Sequence, residues 1–360
     1  MGNRRFGQIV RRIVAAGACG LWMGCSTADV KNEVVGTANG EEIRVVEIRE
    51  FLGVRGGAET ASDIPAEKKK EALDRLIGGR LLAQEARAKG MDNTEEFRAL
   101  VRQNEPDVWI TALFRKEIDA KSKDIEKEVK AEAKKLMEAN KNLNEKDAES
   151  RAGKMAYDMK VRKIQEDLIA AAKKEVPASV DKAMLERIGK KEKVGDEAVV
   201  AAVGPEKITY GEVKGMIKAI GGGAHVPEDL SSNPVAIERI LDRELAKRSL
   251  LGFARKQGIE GSKWLADTRK DTERILLINV LAEREILKNV VVTDKEIEAT
   301  YKEHQDKFVQ NGKKIPLAQV KEQIRGFVAN NTKRKAIESY VDGLRKKAKI
   351  TVNEPVLAKI

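Results

Sequence analysis

Apolar residues recur at helical spacing along most of this chain. Leu73, Leu76, Ile77 and Leu81 mark one face of an amphipathic helix, with Pro65 near its start and Gly90 as its stop. The same pattern returns from Leu241, with Gly258 as the stop. Another helical stretch runs from about Thr94 to Ile118, and Pro106 inside it predicts a break or kink. Thr293 and Glu296 spell the T-x-x-E of a capping box, which predicts a helix start. Strand-like runs are short. EVVGTA (Glu33 to Ala38) and AVVAAV (Ala198 to Val203) each lead into a turn, Asn39-Gly40 or Gly204-Pro205, and then a brief segment holding Ile43 or Ile208. Two further β-like pieces, VPASV and KITV, follow basic helices. A lone strand leaves its backbone unpaired, so each should pair with a module's first strand, which brings the ends of a module together unless the terminal helices swap between modules. These elements predict a mainly α fold with short β-strands, of the α+β class.

The pattern is also repeated. LDRLIGGRLLAQEARAKGM (Leu73 to Met91) matches LDRELAKRSLLGFARKQGI (Leu241 to Ile259), with Leu73/Leu241, Asp74/Asp242, Arg75/Arg243, Ala86/Ala254 and Gly90/Gly258 identical. ANGEEIRVVEI (Ala38 to Ile48) matches VGPEKITYGEV (Val203 to Val213), and KDIEKEV (Lys123 to Val129) matches KEIEATY (Lys295 to Tyr301). Val161 to Val180 matches Lys333 to Val352. Blocks in the same order point to a duplicated domain, since the period is far longer than that of a solenoid. The expected organisation is a first module at 33–188, a linker at 189–197 and a second module at 198–360.

The first residues read as a targeting segment. Arg4, Arg5, Arg11 and Arg12 precede an uncharged run from Ile13 to Gly24. That run is too short to span a hydrocarbon core of about 30 Å, but it suits a signal peptide. It closes on LWMGCS, which is similar to a bacterial lipobox and implies lipidation of Cys25. Residues 1–25 are then the signal and 26–32 a linker. Trp22 and Met23 are bulkier than the usual lipobox residues, and an ordinary signal peptide is the plain alternative. Ser26 after the cysteine fits sorting to the periplasmic face of the outer membrane. Cys19 and Cys25 are the two cysteines of the chain, so a mature protein has no disulfide and no thiol chemistry of its own beyond the anchor.

Composition narrows the function classes. Of 360 residues, 35% are charged and 4% aromatic, which suits helices with wide solvated faces. The net charge of +11 favours acidic partners or an anionic membrane. Nucleic acid is not expected, because Lys and Arg alternate with Glu rather than forming one basic block. His225 and His304 stand far apart in sequence, and carboxylates are interleaved with lysines, which reads as surface pairing rather than metal ligation. Gly221 to Gly223 lacks the strand and Lys-Ser/Thr of a phosphate loop. No nucleophile–base set appears. Neither cofactor, metal nor small-molecule substrate is expected.

The strand, the NGEEI turn and the helix ALDRLIGGRLLAQEARAKGM together resemble the N-terminal chaperone domain of the SurA/PrsA group of parvulin-type periplasmic foldases. VTDKEIEATYKEHQDKF (Val292 to Phe308) resembles the helix leading into their isomerase domain, and Pro316 to Val352 resembles the helices and strand after it. The resemblance implies two tandem helical modules like the SurA N-terminal domain. It also implies a parvulin domain between Phe308 and Pro316, where this chain has VQNGKKI alone. Seven residues cannot hold a domain with its own core. The expectation is a lipid-anchored, non-enzymatic holdase for unfolded secreted or outer-membrane polypeptides. A dedicated assembly lipoprotein and a working peptidyl-prolyl isomerase are the alternatives. The candidate client-binding side chains are Trp109, Phe114, Met155, Met159, Trp264 and Leu277, for which core packing is the competing role.

Overall fold

The computed structural model describes residues 33–53, 64–121, 126–220, 228–310 and 313–360. The signal segment with Cys19 and Cys25, the 26–32 linker, Gly221 to Gly223, His225 and Gly312 lie outside the described residues. The chain is mainly helical, with small antiparallel sheets. In chain order the strands are β1 (Val34–Ala38), β2 (Glu41–Arg44), β3 (Ala178–Val180), β4 (Val199–Val203), β5 (Glu206–Thr209), β6 (Val309–Gln310), β7 (Lys313–Lys314) and β8 (Ile350–Val352). The helices are α1 (Val45–Phe51), α2 (Ala66–Ala88), α3 (Glu95–Lys121), α4 (Glu126–Ala139), α5 (Glu145–Glu175), α6 (Lys182–Gly189) and α7 (Tyr210–Ile220). They continue as α8 (Glu228–Ser231), α9 (Pro234–Lys256), α10 (Lys263–Leu281), α11 (Asp294–Glu303), α12 (Leu317–Arg345) and α13 (Glu354–Lys359).

Local chemistry explains the element ends. Asn39 and Gly40 both take positive φ, 50° and 83°, as a two-residue hairpin loop between twisted strands requires. Gly90 (φ 69°) and Gly258 (φ 61°) occupy the left-handed region just past α2 and α9. Thr293 and Glu296 form the full capping box at the start of α11. Pro106 does not break its helix: α3 runs continuously from Glu95 to Lys121. The ring costs one backbone hydrogen bond, but Phe97 before it and Val108, Ala112 and Leu113 after it are buried. Packing on both sides of the proline therefore outweighs the local penalty.

The described residues fall into two compact units, named here for their place along the chain. The central unit takes 49–53, 103–121, 126–220 and 228–272; the flanking unit takes 33–48, 64–102, 273–310 and 313–360. The boundary falls within α1, α3 and α10, so the units do not coincide with the two sequence repeats.

In the central unit, α4 and α5 form a hairpin sealed by Val129, Ala133, Ala148, Ala152, Ala156 and Tyr157. Small alanines on the facing surfaces let the two backbones approach closely. The same core continues through β4, β5, α7 and α9. Ser249 on α9, fully buried, donates from Oγ to the carbonyl of Val176 at 2.9 Å, tying α9 to the end of α5.

In the flanking unit, Leu82 and Ala86 of α2 pack with Leu276, Leu277, Val280 and Leu281. A second small core joins Ile297 of α11 to Val320, Ile324 and Val328 of α12.

Each unit has one three-stranded sheet, in the order β2-β1-β8 or β5-β4-β3. The registers match position by position. Ala38 pairs with Glu41 and Ile350, and Val203 pairs with Glu206 and Ala178. Both hairpins shift register at the equivalent place, between Val34 and Gly36 and between Val199 and Ala201. The expected meeting of a module's own ends does not occur: the closing strand of each repeat pairs with the first strand of the other repeat. Sequence shows which segments can be strands but carries no signal for which of two near-identical edges a closing strand will choose.

Candidate functional site

The candidate side chains of the central unit lie on α3, α5 and α10. Trp109, Phe114 and Trp264 are partly buried against the central core, so their rings are mostly packing. Their polar edges are used. Trp109 Nε1 donates to Glu105 Oε1 at 2.8 Å, one helical turn back. Arg269 Nε donates to the same oxygen at 3.1 Å. Trp264 Nε1 donates to Asp119 Oδ2 at 2.7 Å, and Lys263 stands 5.0 Å from the Trp264 ring centre. Arg115 Nη1 donates to Thr268 Oγ1 at 3.1 Å and to Asp271 Oδ2 at 3.2 Å. Burial tends to raise the Glu105 carboxyl, but hydrogen bonds from Arg269 and Trp109 and the Arg269 charge outweigh it, so its pKa is lowered. A carboxylate held ionised between an indole and a guanidinium is a structural tie.

Met155 and Met159 differ. They are 43% and 52% exposed on α5, while Ala152, Ala156 and Tyr157 of the same helix turn inward to α4. Arg151, Lys154, Arg162 and Lys163 are exposed along the same helix, with Asp158 between the two methionines. Side chains at i, i+3 and i+4 share a helix face, so the two flexible thioethers lie among Arg151, Arg162 and Lys163 with Asp158, and Lys163 is itself paired with Asp167 at 3.6 Å, leaving a modest basic excess. Leu277, by contrast, is 1% exposed within the flanking unit's core and presents nothing at the surface.

At the place where the resemblance implies an isomerase domain, the chain makes a minimal closure. Val309 pairs with Lys314 and Gln310 with Lys313. Phe308 stacks on Tyr301 with ring centres 5.6 Å apart, and Tyr301 Oη donates to the Ile315 carbonyl at 2.6 Å. His304, which ends α11, meets Phe327 edge-on at 6.4 Å.

Two charged clusters escaped the sequence reading. In the flanking unit Arg80 of α2, 5% exposed, pairs with Glu41 of β2 and Glu47 of α1. In the central unit Arg248 of α9 pairs with Glu206 of β5, Glu212 of α7 and Glu244 one turn away on α9. Glu47 also accepts from the Arg44 backbone N–H at 3.0 Å, as Glu212 accepts from that of Thr209 at 2.8 Å. The clusters occupy equivalent positions of the repeat. Their signal was present in the aligned blocks as the identities Arg80/Arg248, Glu41/Glu206 and Glu47/Glu212. Each cluster pins a β-hairpin to its long helix, which is a positioning role.

Among the described residues no group of three or more His, Cys, Asp or Glu could hold a metal ion, and no helix is long and apolar enough to cross a membrane. The chain matches no protein-family model, no curated protein and no solved structure.

Proposed function

We propose that this protein is an ATP-independent holdase of the bacterial envelope, anchored by a lipid on Cys25 and built from two modules like the SurA N-terminal domain. The observation that carries the reading is the repeated architecture. Hairpin, long helix and closing strand recur in both sheets with one register, over the very segments that resemble the foldase chaperone domain. The short β6–β7 closure supports a binding protein over an isomerase, because Phe308 and Ile315 are joined directly by a backbone hydrogen bond of 2.8 Å. Clients would be unfolded secreted or outer-membrane polypeptides, taken up reversibly on apolar side chains such as Met155 and Met159, with the modest basic excess favouring segments that carry acidic residues. Nothing in the mechanism needs covalent chemistry.

The test is direct. Purified protein in several-fold excess should delay aggregation of a denatured outer-membrane protein diluted out of urea. Light scattering that rises as fast with the protein as without it would sink the reading. Measured acceleration of prolyl cis–trans exchange by the same sample would favour the isomerase alternative instead.

A further inference from the structure

The Asn39-Gly40 turn differs chemically from its counterpart in the other repeat, and the difference is independent of the holdase reading. In both sheets the residue after the first strand is tied to the chain entering the closing strand. Asn39 N donates to Lys349 O at 2.8 Å, and Gly204 N to Pro177 O at 3.0 Å. Asn39 adds a side-chain clasp that Gly204 cannot make. Its Oδ1 accepts from Lys349 N at 2.8 Å, and its Nδ2 donates to Gln84 Oε1 of α2 at 2.9 Å. Gln84 is fixed in turn, because its Nε2 donates to Ala38 O at 3.0 Å and to Glu41 Oε2 at 3.1 Å. Asn39 and Gly40 are both exposed, and a Cβ placed on Gly40 would meet nothing within 4 Å, so water reaches the turn.

We propose that Asn39 is a modification site: it deamidates through Gly40 when the turn opens, and the product loosens the Lys349 end of the β1–β8 pairing. The Gly40 backbone nitrogen attacks Asn39 Cγ, and its proton passes through water to the departing Nδ2, which leaves as ammonia. The cyclic imide so formed is opened by water at one carbonyl to aspartate or at the other to isoaspartate. Glycine favours the step because it places no side chain beside the attacking nitrogen. Gly204-Pro205 has neither a side-chain amide nor an N–H on the second residue, so the other hairpin cannot react. Ring closure needs the Asn39 amide free of Gln84 and Lys349, and the peptide turned out of the left-handed conformation it holds at φ 50°. Local opening of the turn therefore gates the reaction. Neither product restores the clasp. An aspartate has no N–H to offer Gln84 Oε1. An isoaspartate also lengthens the backbone between two residues whose short loop sets the Ala38–Glu41 pairing. Val341 and Leu344 of α12 remain packed on the α2 core, so the change is confined to the turn and β8.

The test incubates the full-length protein at mildly alkaline pH, folded and in urea, and follows the Asn39 peptide by mass spectrometry. Asn311-Gly312, the other Asn-Gly pair of the sequence, gives the intrinsic rate in urea. In urea the two peptides should convert at similar rates. In the folded chain Asn39 should convert measurably but about tenfold more slowly, as a reaction gated by local opening does. Q84M removes the acceptor of the Nδ2 bond. It should raise the folded-state rate several-fold and leave the rate in urea unchanged. Modified molecules, separated by their added negative charge, should lose amide-exchange protection at β8 and keep it at β3. N39D makes the aspartate product directly and should show the same loss without any incubation. A folded-state rate equal to that in urea, no conversion of Asn39 in the folded chain, or full β8 protection in the modified protein and in N39D would each overturn the proposal.

Discussion

Arg80 Nε stands 3.0 Å from Glu41 Oε1, with the arginine side chain only 5% exposed. Few arginines are so deeply placed without a carboxylate beside them, because a buried charge must be paired. Truncation would strand Glu41 and Glu47 together against α2. R80A is therefore expected to destabilise the flanking unit by about 2–4 kcal/mol. The equivalent Arg248 is 20% exposed and Glu212 42% exposed, so R248A should cost less, about 1 kcal/mol. Hydrogen exchange at β1–β2 and β4–β5 in the two variants reads both losses. Equal protection loss in the two hairpins would show that burial of the pair does not set its value.

The Arg248 cluster also predicts a pH response. The backbone hydrogen bond from Thr209 holds the Glu212 carboxyl below the ordinary glutamate range, against the opposing effect of burial and with further help from Arg248. A carboxylate with a depressed folded-state pKa contributes stability that is present above its unfolded pKa and is lost as pH falls through the folded value. Local opening of β5–α7 should accordingly increase as pH drops below about 4.5. In E212Q, which cannot ionise, that acid-dependent component should be smaller. Amide exchange measured between pH 3 and 6 tests this, and an unchanged acid limb in E212Q would refute it.

Ser249 offers a sharper probe of the central core. Its hydroxyl is the partner of the Val176 carbonyl, and the serine is completely buried. S249A removes the donor and leaves that carbonyl without this bond, at a cost of about 1–3 kcal/mol. The urea unfolding midpoint should fall with little change in slope. A neutral substitution would mean that the end of α5 is held without this bond, by Lys256 Nζ donating to the Glu175 carbonyl at 3.3 Å and by packing at Gly252, where a Cβ would come within 3.1 Å of Val176.

Much of this fold was legible in the chain because its signals are local. The left-handed glycines at 90 and 258, the Asn39-Gly40 turn and the Thr293–Glu296 box each depend on a few neighbouring residues, and each appears as read. Long-range choices were hidden. Two edges, β1 and β4, offer almost the same surface to β3 and β8, and the burial pattern of the two strands is identical. Only chain connectivity and packing decide between them. The break expected at Pro106 does not occur for a related reason, since its penalty is local and the burial that outweighs it lies on either side along α3. The apolar candidates divided by the same logic. Leu277 and Met155 are both apolar residues at helical spacing, yet the direction each faces on its helix buries the first and exposes the second.

Exposure makes Met155 and Met159 the place to test client binding. They are exposed and add nothing to the Ala152–Ala156–Tyr157 seam, so polar replacements there should leave the α4–α5 hairpin folded. M155D/M159D removes the two thioethers and places two carboxylates where there is a modest basic excess, so it should keep the circular dichroism and unfolding midpoint of the parent. If clients dock on this face, its capacity to delay aggregation should fall several-fold. M155L/M159L, which keeps apolar area and loses only flexibility, should retain most of it. The charge surround predicts a further difference: a client segment bearing Glu should be held less well as salt rises, while an uncharged apolar segment should not. Full activity in the aspartate variant would move the binding face away from α5 and leave the methionines as ordinary solvent-exposed positions.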